Sequence, residues 1–446
     1  MPRSGRRPAA RTGRAADLAG AVEREVVIER LGAAGDGIAR LGDATFYVPF
    51  ALPAERWRVR ILPGEQRARP LERLSGPPRP SPPCPHFGRC GGCALQHLDA
   101  AAYAAFKRAR ILEPLARLGL EPAELLPTAA SPPGSRRRLR LAFAAGRGGT
   151  ARLGFRVRAS RVIEPVRRCP IARPELEALL VPLAGALGEL DLVRRAGAGE
   201  VVATRFEAGV DLLLLVEGTA GIADRERLAA LARGLDLARL ALGAPGGPVE
   251  PVTVRRPPRL SLGAIAVEPP PGAFLQATEE GERALAAAVD RWVPEGARLV
   301  DLYAGLGALS LPHLPRLARL ELVEGEAEAV AALERALAGR PRVCAVRRDL
   351  ARDPLRPGEL AAFDAVLLDP PRAGAAGQCA MLARSAVPRI VYASCDPGSF
   401  ARDARTLATA GFRLVALQPV DQFLWSAEVE LVALFLREGP RPPAAA

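Results

Sequence analysis

Lysine is almost absent from this 446-residue chain, because Lys107 is the only one among 62 basic residues. With abundant Ala, Arg, Gly and Pro, this deficit is typical of a GC-rich genome and explains the choice of arginine. It does not explain the formal net charge of +13, which favours a polyanionic partner. No apolar run reaches the roughly 18 residues of a membrane span, and residues 1–20 lack the apolar segment of a signal peptide. We therefore expect no membrane partner.

Cysteine is also scarce, with seven in the chain, and three of them fall within ten residues. An odd number with this clustering argues against a disulfide framework and favours free thiols and a metal site in a reducing cytoplasm. A complete Gly-x-Gly-x-x-Gly fingerprint is missing, which weighs against a dinucleotide ligand. No repeat occurs at the periods of solenoid proteins.

The chain is too long for one ordinary domain, and its texture changes along its length. Residues 1–21 carry basic side chains and are predicted to be a disordered tail. Short β-runs broken by turns predict a small β-barrel over 22–75. Residues 76–265 read as a central α+β domain, in which helices near 98–118 are candidates to pack on the next domain. From 266 to 440 a regular βα alternation predicts an α/β domain with a doubly wound parallel sheet.

Arginine is concentrated in two places. Residues 131–168 hold eleven arginines against one acid, Glu164. Solvated faces usually mix the two signs, so a groove that follows RNA phosphates is favoured there. The seven arginines between 56 and 79 lie near Trp57 and Phe46, and here an RNA-binding surface and an ordinary solvated face are equally supported.

A glycine turn and two acids predict a nucleoside site. The segment 301–307 (AspLeuTyrAlaGlyLeuGly) follows a predicted strand and precedes a helix, so Gly305 lets the backbone approach a ligand beside a helix amino terminus. Glu324 ends the next strand, where a carboxylate can bind both ribose hydroxyls. S-adenosylmethionine is the better candidate ligand. After a later strand, the prolines of AspProProArg hold the Asp369 carboxylate in a rigid turn, with Arg372 available for a phosphate or base.

Cys395 lies at the predicted carboxyl end of a strand, which is where ligands bind in α/β sheets. A helix predicted to begin near Ser399 supplies a partial positive field that favours the thiolate. Glu428 and Glu430, on the last strand pair, are candidates for a general base.

Three cysteines form a ligand cluster, in which Cys84 and Cys90 are separated by five residues and Cys90 and Cys93 by two. The candidate fourth ligand is Cys169. Zinc usually binds paired Cys-x-x-Cys units, which favours an iron–sulfur cluster, although residue types alone leave the two nearly even.

Taken together, these motifs resemble the bacterial RNA 5-methyluridine methyltransferases that combine a TRAM domain, a [4Fe-4S] cluster and an adenosylmethionine-dependent class I catalytic domain, as in 23S rRNA uracil-5 methyltransferases. The resemblance covers nearly the whole chain from Val22 to Leu436. It includes the TRAM-like segment 46–53 and the cysteine spacing. The chain departs from the family pattern at Thr278, at Ala308, at Asp396 and over 421–425.

The resemblance implies a role for particular residues. Cys395 would be the nucleophile and Glu430 the base. The cysteines Cys84, Cys90, Cys93 and Cys169 would hold the cluster. The expected cofactor contacts are Gln276, Tyr303, Gly305, Glu324, Asp349 and Asp369.

We therefore expect a monomeric enzyme that methylates C5 of a uridine in structured RNA, with 23S rRNA favoured and tRNA possible. An adenine or guanine amino-group methyltransferase that uses the AspProPro turn is one alternative. A catalytically inactive RNA-binding module is the other.

Overall fold

The structure, a computed structural model, describes residues 20–437. The predicted tail over 1–21 lies almost entirely outside the described residues. The chain forms two compact units, with the division after Pro80. Within the described range, no helix has the length and apolar character needed to cross a membrane.

The N-terminal unit, which we define as residues 20–80, contains two three-stranded antiparallel sheets. Its strands are β1 (Val22–Val27), β2 (Arg30–Leu31), β3 (Gly37–Leu41), β4 (Ala44–Val48), β5 (Arg56–Ile61) and β6 (Arg69–Ser75). One sheet has the order β1-β5-β6 and the other β2-β3-β4. Alternate apolar side chains such as Val26, Val48 and Val59 form its small core, as period-two patterning dictates.

The second unit begins with the cysteine segment and a long helix. Its first elements are α1 (Ala100–Ala116), β7 (Glu124–Leu125) and β8 (Ala129–Ala130). Asp99 caps α1 by accepting a hydrogen bond from the backbone of Ala102 at 2.9 Å. The helix buries Lys107, Ile111 and Leu115, one residue per turn on a single face.

A seven-stranded sheet follows, in the order β11-β10-β9-β12-β13-β14-β15. Its strands are β9 (Arg138–Ala145), β10 (Ala151–Arg156), β11 (Ile163–Pro165), β12 (Ala198–Phe206), β13 (Gly209–Val216), β14 (Arg239–Gly243) and β15 (Val249–Val254). Leucine-rich helices pack against it: α2 (Pro174–Glu177), α3 (Leu180–Glu189), α4 (Asp191–Ala196) and α5 (Ile222–Gly234). A hairpin of β16 (Leu260–Leu262) and β17 (Ile265–Val267) precedes the next sheet.

The last part of the chain alternates strands with helices. The strands are β18 (Arg298–Leu302), β19 (Arg319–Glu324), β20 (Val343–Arg347), β21 (Ala365–Leu368), β22 (Arg389–Ser394), β23 (Phe412–Asp421) and β24 (Glu430–Arg437). The helices are α6 (Glu279–Trp292), α7 (Ala327–Leu337), α8 (Pro357–Leu360), α9 (Ala376–Ala383) and α10 (Pro397–Thr409), with a 3₁₀ helix over Leu311–Arg316.

These strands form one large sheet in the order β20-β19-β18-β21-β22-β24-β23-β7. The first five are parallel, and β24 and β23 are antiparallel to their neighbours. Successive residues of the apolar strands pack on opposite faces, so that Leu299 and Leu367 join one core and Val300 and Leu368 the other. The predicted doubly wound α/β fold is therefore confirmed.

The sequence assigned all of 76–265 to a central domain, and here the structure differs. β7 pairs in parallel with β23 at Ala416, and β8 pairs with it at Val420. Helix α1 packs on α10, and the sequence had named the helices near 98–118 as candidates for such packing. The ten-residue β23 would otherwise present an unpaired edge, which these two short strands cover.

Candidate active site

Four of the predicted site residues lie at the carboxyl ends of neighbouring strands. Asp301 is the penultimate residue of β18, and Glu324 is the last residue of β19. Asp369 directly follows β21, and Cys395 directly follows β22. The strand order reverses between β18 and β21, so these side chains surround the topological switch point of the sheet.

The glycine turn after β18 leaves space on one side and is tightly packed on the other. Tyr303, Gly305 and Gly307 have φ of 64°, 56° and 76°, the left-handed region that favours glycine. A Cβ at Gly307 would lie 2.7 Å from Leu311, whereas one at Gly305 would meet nothing within 4 Å. Gly305 therefore leaves room for a ligand, while Gly307 allows the turn to pack on its own sheet.

Glu324 ties this turn to the next loop. Its Oε2 accepts a hydrogen bond from the backbone N–H of Gly305 at 2.8 Å. Its Oε1 accepts from the N–H groups of Gly325 and Glu326 at 2.7 and 2.8 Å. Asp349 adjoins the same loop, since a Cβ on Gly325 would lie 3.9 Å from its Cα. Three of the roughly four acceptor sites of this half-buried carboxylate are thus engaged by backbone donors, which leaves one site on Oε2 for a hydroxyl-bearing ligand.

Asp301 is fully enclosed behind the turn. Only 2% of its surface is exposed, and the Ser310 hydroxyl donates to its Oδ2 at 2.5 Å. Burial, together with the nearby acids Asp369 and Glu324, raises the pKa of this carboxyl to about 8, although the hydrogen bond from Ser310 opposes the increase. Asp301 therefore has a structural role, because it is closed to solvent and binds Ser310, which follows the glycine turn.

A chain of side-chain hydrogen bonds connects the other two acids. Gln276 donates through Nε2 to Oδ2 of Asp369 at 3.1 Å. Glu430, of which 2% is exposed, accepts at Oε2 from Nε2 of Gln422 at 2.7 Å, and Gln422 also donates to Gln276. Burial raises the pKa of both Asp369 and Glu430. The sequence had marked Gln422 only as a departure from the family pattern, because no local motif announces this contact.

Cys395 adjoins both acids, and its thiol is held in the neutral form. Burial raises its pKa to about 12, the charges of Glu430 and Asp369 raise it too, and Arg372 opposes them. The expected helix lies beside it, but Asp396 caps that helix and already accepts from the N–H of Ser399 at 2.8 Å. The helix field expected from the sequence therefore does not by itself produce a thiolate in this state.

The two candidate bases have different surroundings. Glu428 is half-exposed and forms an ion pair with Arg372 at 2.6 Å. Glu430 is buried, and its charge acts on Cys395 and Asp369. Of the two, only Glu430 adjoins the thiol.

The segment 421–428 is held by α1. Lys107, 1% exposed, donates to Oδ1 of Asp421 at 2.8 Å and to the carbonyl of Phe423 at 3.1 Å. Tyr103 donates to Oδ2 of Asp421 at 2.6 Å. A compact ammonium can direct three donors at closely spaced oxygens, which a planar guanidinium cannot do. The sequence signal was the retention of a single lysine in an arginine-rich chain.

The four predicted cluster cysteines influence one another. Burial raises the pKa of Cys93 to about 11, and Cys90 and Cys84 contribute to the increase. Burial likewise raises the pKa of Cys169 to about 12, with contributions from Cys93 and Cys90. Across residues 20–437, however, no three His, Cys, Asp or Glu side chains are arranged so that they could hold a metal ion. The thiols are neighbours without a preformed metal geometry.

Comparison with known proteins adds independent information. Residues 355–438, which include Asp369, Cys395 and Glu430, match the family model described as tRNA (Uracil-5-)-methyltransferase. The chain is 40% identical to an uncharacterized RNA methyltransferase of Caulobacter vibrioides, over 93% of this chain and 100% of the relative. It is 37% identical to the 23S rRNA (uracil(1939)-C(5))-methyltransferase RlmD of Chromohalobacter salexigens, over 93% of this chain and 89% of the relative.

Among solved structures, the fold is similar to that of the Pyrococcus abyssi tRNA (uracil-54, C5)-methyltransferase in complex with S-adenosyl-L-homocysteine. The TM-score is 0.70 at 22% identity, and the similarity covers 93% of this chain and 100% of that one. At this identity the likeness establishes the fold.

Proposed function

The chain belongs to the RNA uracil-5 methyltransferases, and we propose that it transfers a methyl group from S-adenosylmethionine to C5 of one uridine in 23S rRNA through a covalent bond between Cys395 and C6. The observation that carries this proposal is the convergence of Cys395, Asp369 and buried Glu430 at one edge of the sheet. The named activity of the 37% identical relative from Chromohalobacter salexigens favours 23S rRNA over tRNA.

The residues of the chain provide each chemical role. The Cys395 thiolate adds to C6 of the uracil, and the electrons of the C5–C6 double bond become available at C5. Bound S-adenosylmethionine would supply an electrophilic methyl group on a sulfonium centre, and as C5 takes this group the bond from the methyl to sulfur would break and S-adenosylhomocysteine would leave. After C5 is methylated, Glu430 removes the C5 proton, the electron pair re-forms the C5–C6 double bond, and the C6–S bond breaks to release Cys395. A uridine stacked in a helix hides C6, so the target base must be flipped out.

The cradle for the methyl donor is proposed at the glycine turn. Gly305 has open space beside it, and Glu324 keeps an acceptor site on Oε2 for a ribose hydroxyl. Asp349 adjoins the same loop, where an adenine amino group would meet it. Tyr303, in the glycine turn, and Gln276, which donates to Asp369, are proposed as the remaining contacts of the methyl donor. A cationic sulfonium close to Cys395 would favour the thiolate, which opposes the effect of burial on that thiol.

The test is direct methyl transfer. The protein is incubated with unmodified rRNA and tRNA and a methyl-labelled donor, and the modified nucleotide is mapped. We expect 5-methyluridine at one position in 23S rRNA. Label on an adenine or guanine amino group, as the alternative enzyme class requires, would overturn the proposal. RNA binding without any transfer would instead favour an inactive module.

We also propose that Cys84, Cys90, Cys93 and Cys169 hold a [4Fe-4S] cluster. Four neighbouring thiols are the donor set that such a cluster requires, and metal binding would have to draw them into ligand geometry. Protein purified without oxygen should contain about four iron and four sulfide per chain, and Cys169→Ser should lower both. Stoichiometric zinc without sulfide would contradict this assignment.

The remaining assignments complete the proposal. The N-terminal unit would act as a TRAM-type RNA-binding domain, and the enzyme would work as a monomer in the cytoplasm, where its cysteines stay reduced. All seven cysteines are unbridged, as a reducing compartment requires. RNA affinity measured with and without residues 1–80 would test the role of the N-terminal unit.

A further inference from the structure

Gln422 occupies a central position between the two buried acids. It is 2% exposed and directly follows β23. Its Oε1 accepts from the backbone N–H of Ala277 at 2.8 Å. Its Nε2 donates to Oε1 of Gln276 and to Oε2 of Glu430, both at 2.7 Å. Helix α6 packs closely on it, since a Cβ on Gly281 would lie 2.7 Å from its Cβ. Both N–H donors and the oxygen of the amide are therefore engaged.

The direction of these hydrogen bonds is set by one backbone group. The N–H of Ala277 can only donate, so Gln422 must turn its oxygen towards it and its Nε2 towards the acids. Gln276 must then offer its own oxygen to Gln422, which leaves its Nε2 for Asp369 at 3.1 Å. Both carboxyl groups consequently receive an N–H donor, which favours their acceptor, ionised forms against the effect of burial.

We propose that Gln422 is a positioning residue, whose amide holds Glu430 through Oε2 so that Oε1 is free to receive the C5 proton. The inference rests on the proposed role of Glu430 as the base. In the proton-removal step the C5–H bond breaks, its electron pair forms the C5–C6 double bond, and the C6–S bond electrons return to Cys395. Gln422 exchanges no atoms in this step and acts only through Glu430.

Other groups around Glu430 do not substitute for this amide. Asp369 faces it from the end of β21, Cys395 lies near it at the end of β22, and Arg372 acts on the thiol. The charge of Asp369 raises the pKa of Glu430 and so disfavours a second negative charge there. Among these groups, Gln422 supplies the hydrogen-bond donor that favours ionised Glu430.

The experiment compares two RNAs on one variant. Gln422→Met keeps similar length and removes both N–H donors. On RNA with 5-fluorouridine at the target, C5 carries no proton to remove, so the variant should form the covalent protein–RNA adduct at the wild-type rate. On uridine RNA, turnover should fall by about 10-fold to 100-fold, a fraction of what a general base contributes. The methylated covalent intermediate should accumulate there.

The pH profile provides a second readout that a purely structural role would not change. Removing a donor from a carboxylate raises its pKa, so the midpoint of the turnover profile should move to higher pH in Gln422→Met. Gln422→Glu is the second variant, because it keeps the shape and an acceptor for Ala277. It replaces both N–H donors with a further carboxylate beside Glu430, and the repulsion raises the pKa of Glu430, so the midpoint of its turnover profile should move to still higher pH than in Gln422→Met.

Gln418→Met is the matched control. Gln418 lies on β23, the strand that Gln422 directly follows, and its side chain donates to the carbonyl of Pro127 at 3.4 Å, outside the site. Its adduct formation, turnover and pH midpoint should equal those of the wild type. Wild-type turnover and pH midpoint in both Gln422 variants would overturn the inference, and so would parallel loss of the fluorouridine adduct and turnover. If the wild type itself forms no adduct, the covalent mechanism fails instead.

Discussion

The N-terminal unit and the candidate active site differ in the partners of their charged side chains. On β5, Arg58 pairs with Glu72 at 2.6 Å and Arg60 with Glu23 at 2.7 Å. In the candidate active site, the partners of Asp369 and Glu430 are the neutral amides of Gln276 and Gln422. The first arrangement neutralises charge, whereas in the second burial raises the pKa of both acids and the hydrogen bonds from the amides only partly oppose it. Perturbed acids of this kind are typical of sites that move protons.

The arginines of the N-terminal unit can be interpreted from the way in which they are paired. The sequence left an RNA-binding surface and a solvated face equally supported between residues 56 and 79. The strand arginines Arg58 and Arg60 are paired with acids of neighbouring strands, as in an ordinary solvated face. Farther along, Arg152, Arg161 and Arg168 are exposed, and the prediction of a phosphate groove over 131–168 remains a prediction.

The largest effect on turnover is expected from removing Glu430, the proposed base of the candidate active site. Glu430→Gln keeps the shape and the contact with Gln422 but cannot accept a proton. Turnover on uridine RNA should fall by about 100-fold to 10,000-fold, while the covalent adduct accumulates on a denaturing gel. Glu428→Gln is the matched comparison and should reduce turnover far less. Equal losses in the two variants would mean that burial does not identify the base.

A large effect is also expected from breaking the buried charge cluster of the N-terminal unit. Glu55 is 1% exposed and accepts from Arg73 at 2.9 Å, from Trp57 at 2.9 Å and from Arg79. Glu55→Gln would leave two guanidinium groups facing a neutral amide and should cost about 3 kcal/mol. Hydrogen exchange of residues 20–80 in the full chain would measure it. Unchanged protection would show that these contacts contribute little.

Much of the candidate active site can be predicted from the sequence, and part of it cannot. Period-two apolar runs and the glycine turn predict which strand ends carry Asp301, Glu324, Asp369 and Cys395. The contact between Gln276 and Gln422 joins residues 146 positions apart, and no local pattern encodes it.

The contacts of α1 and its neighbours were predictable only in part, because the sequence named the helices near 98–118 as candidates to pack on the next domain but gave no sign of their partners. Lys107 reaches Asp421 across 314 positions, and β7 and β8 join a sheet whose other strands begin after residue 297. Such pairings join residues that are distant in the sequence, so they depend on tertiary packing and no local pattern predicts them.

A smaller effect concerns pH. Because the pKa of Asp301 is raised to about 8 in the folded state, the wild type loses stability as pH rises from about 4 through 8. Asp301→Asn does not ionise, so its unfolding midpoint in urea should exceed that of the wild type at pH 9. The gain should be on the order of 2 kcal/mol and should shrink towards pH 5. A constant difference across pH would contradict this account.

The smallest effect is expected at an exposed pair of the N-terminal unit. The side chains of Arg58 and Glu72 are 44% and 57% exposed. Glu72→Gln should therefore cost at most about 0.5 kcal/mol, and added salt should reduce even that. A loss comparable to that of Glu55→Gln would remove the distinction between buried and exposed charge in this unit.

The most direct test of the central claim is a denaturing gel of the protein with 5-fluorouridine RNA and a methyl-labelled donor. Wild-type protein should form a labelled covalent complex with the RNA, and Cys395→Ala should form none while retaining its unfolding midpoint. Cys379→Ala, which changes another buried thiol, should still form the complex. A labelled complex in Cys395→Ala, or continued 5-methyluridine formation by that variant, would contradict the account.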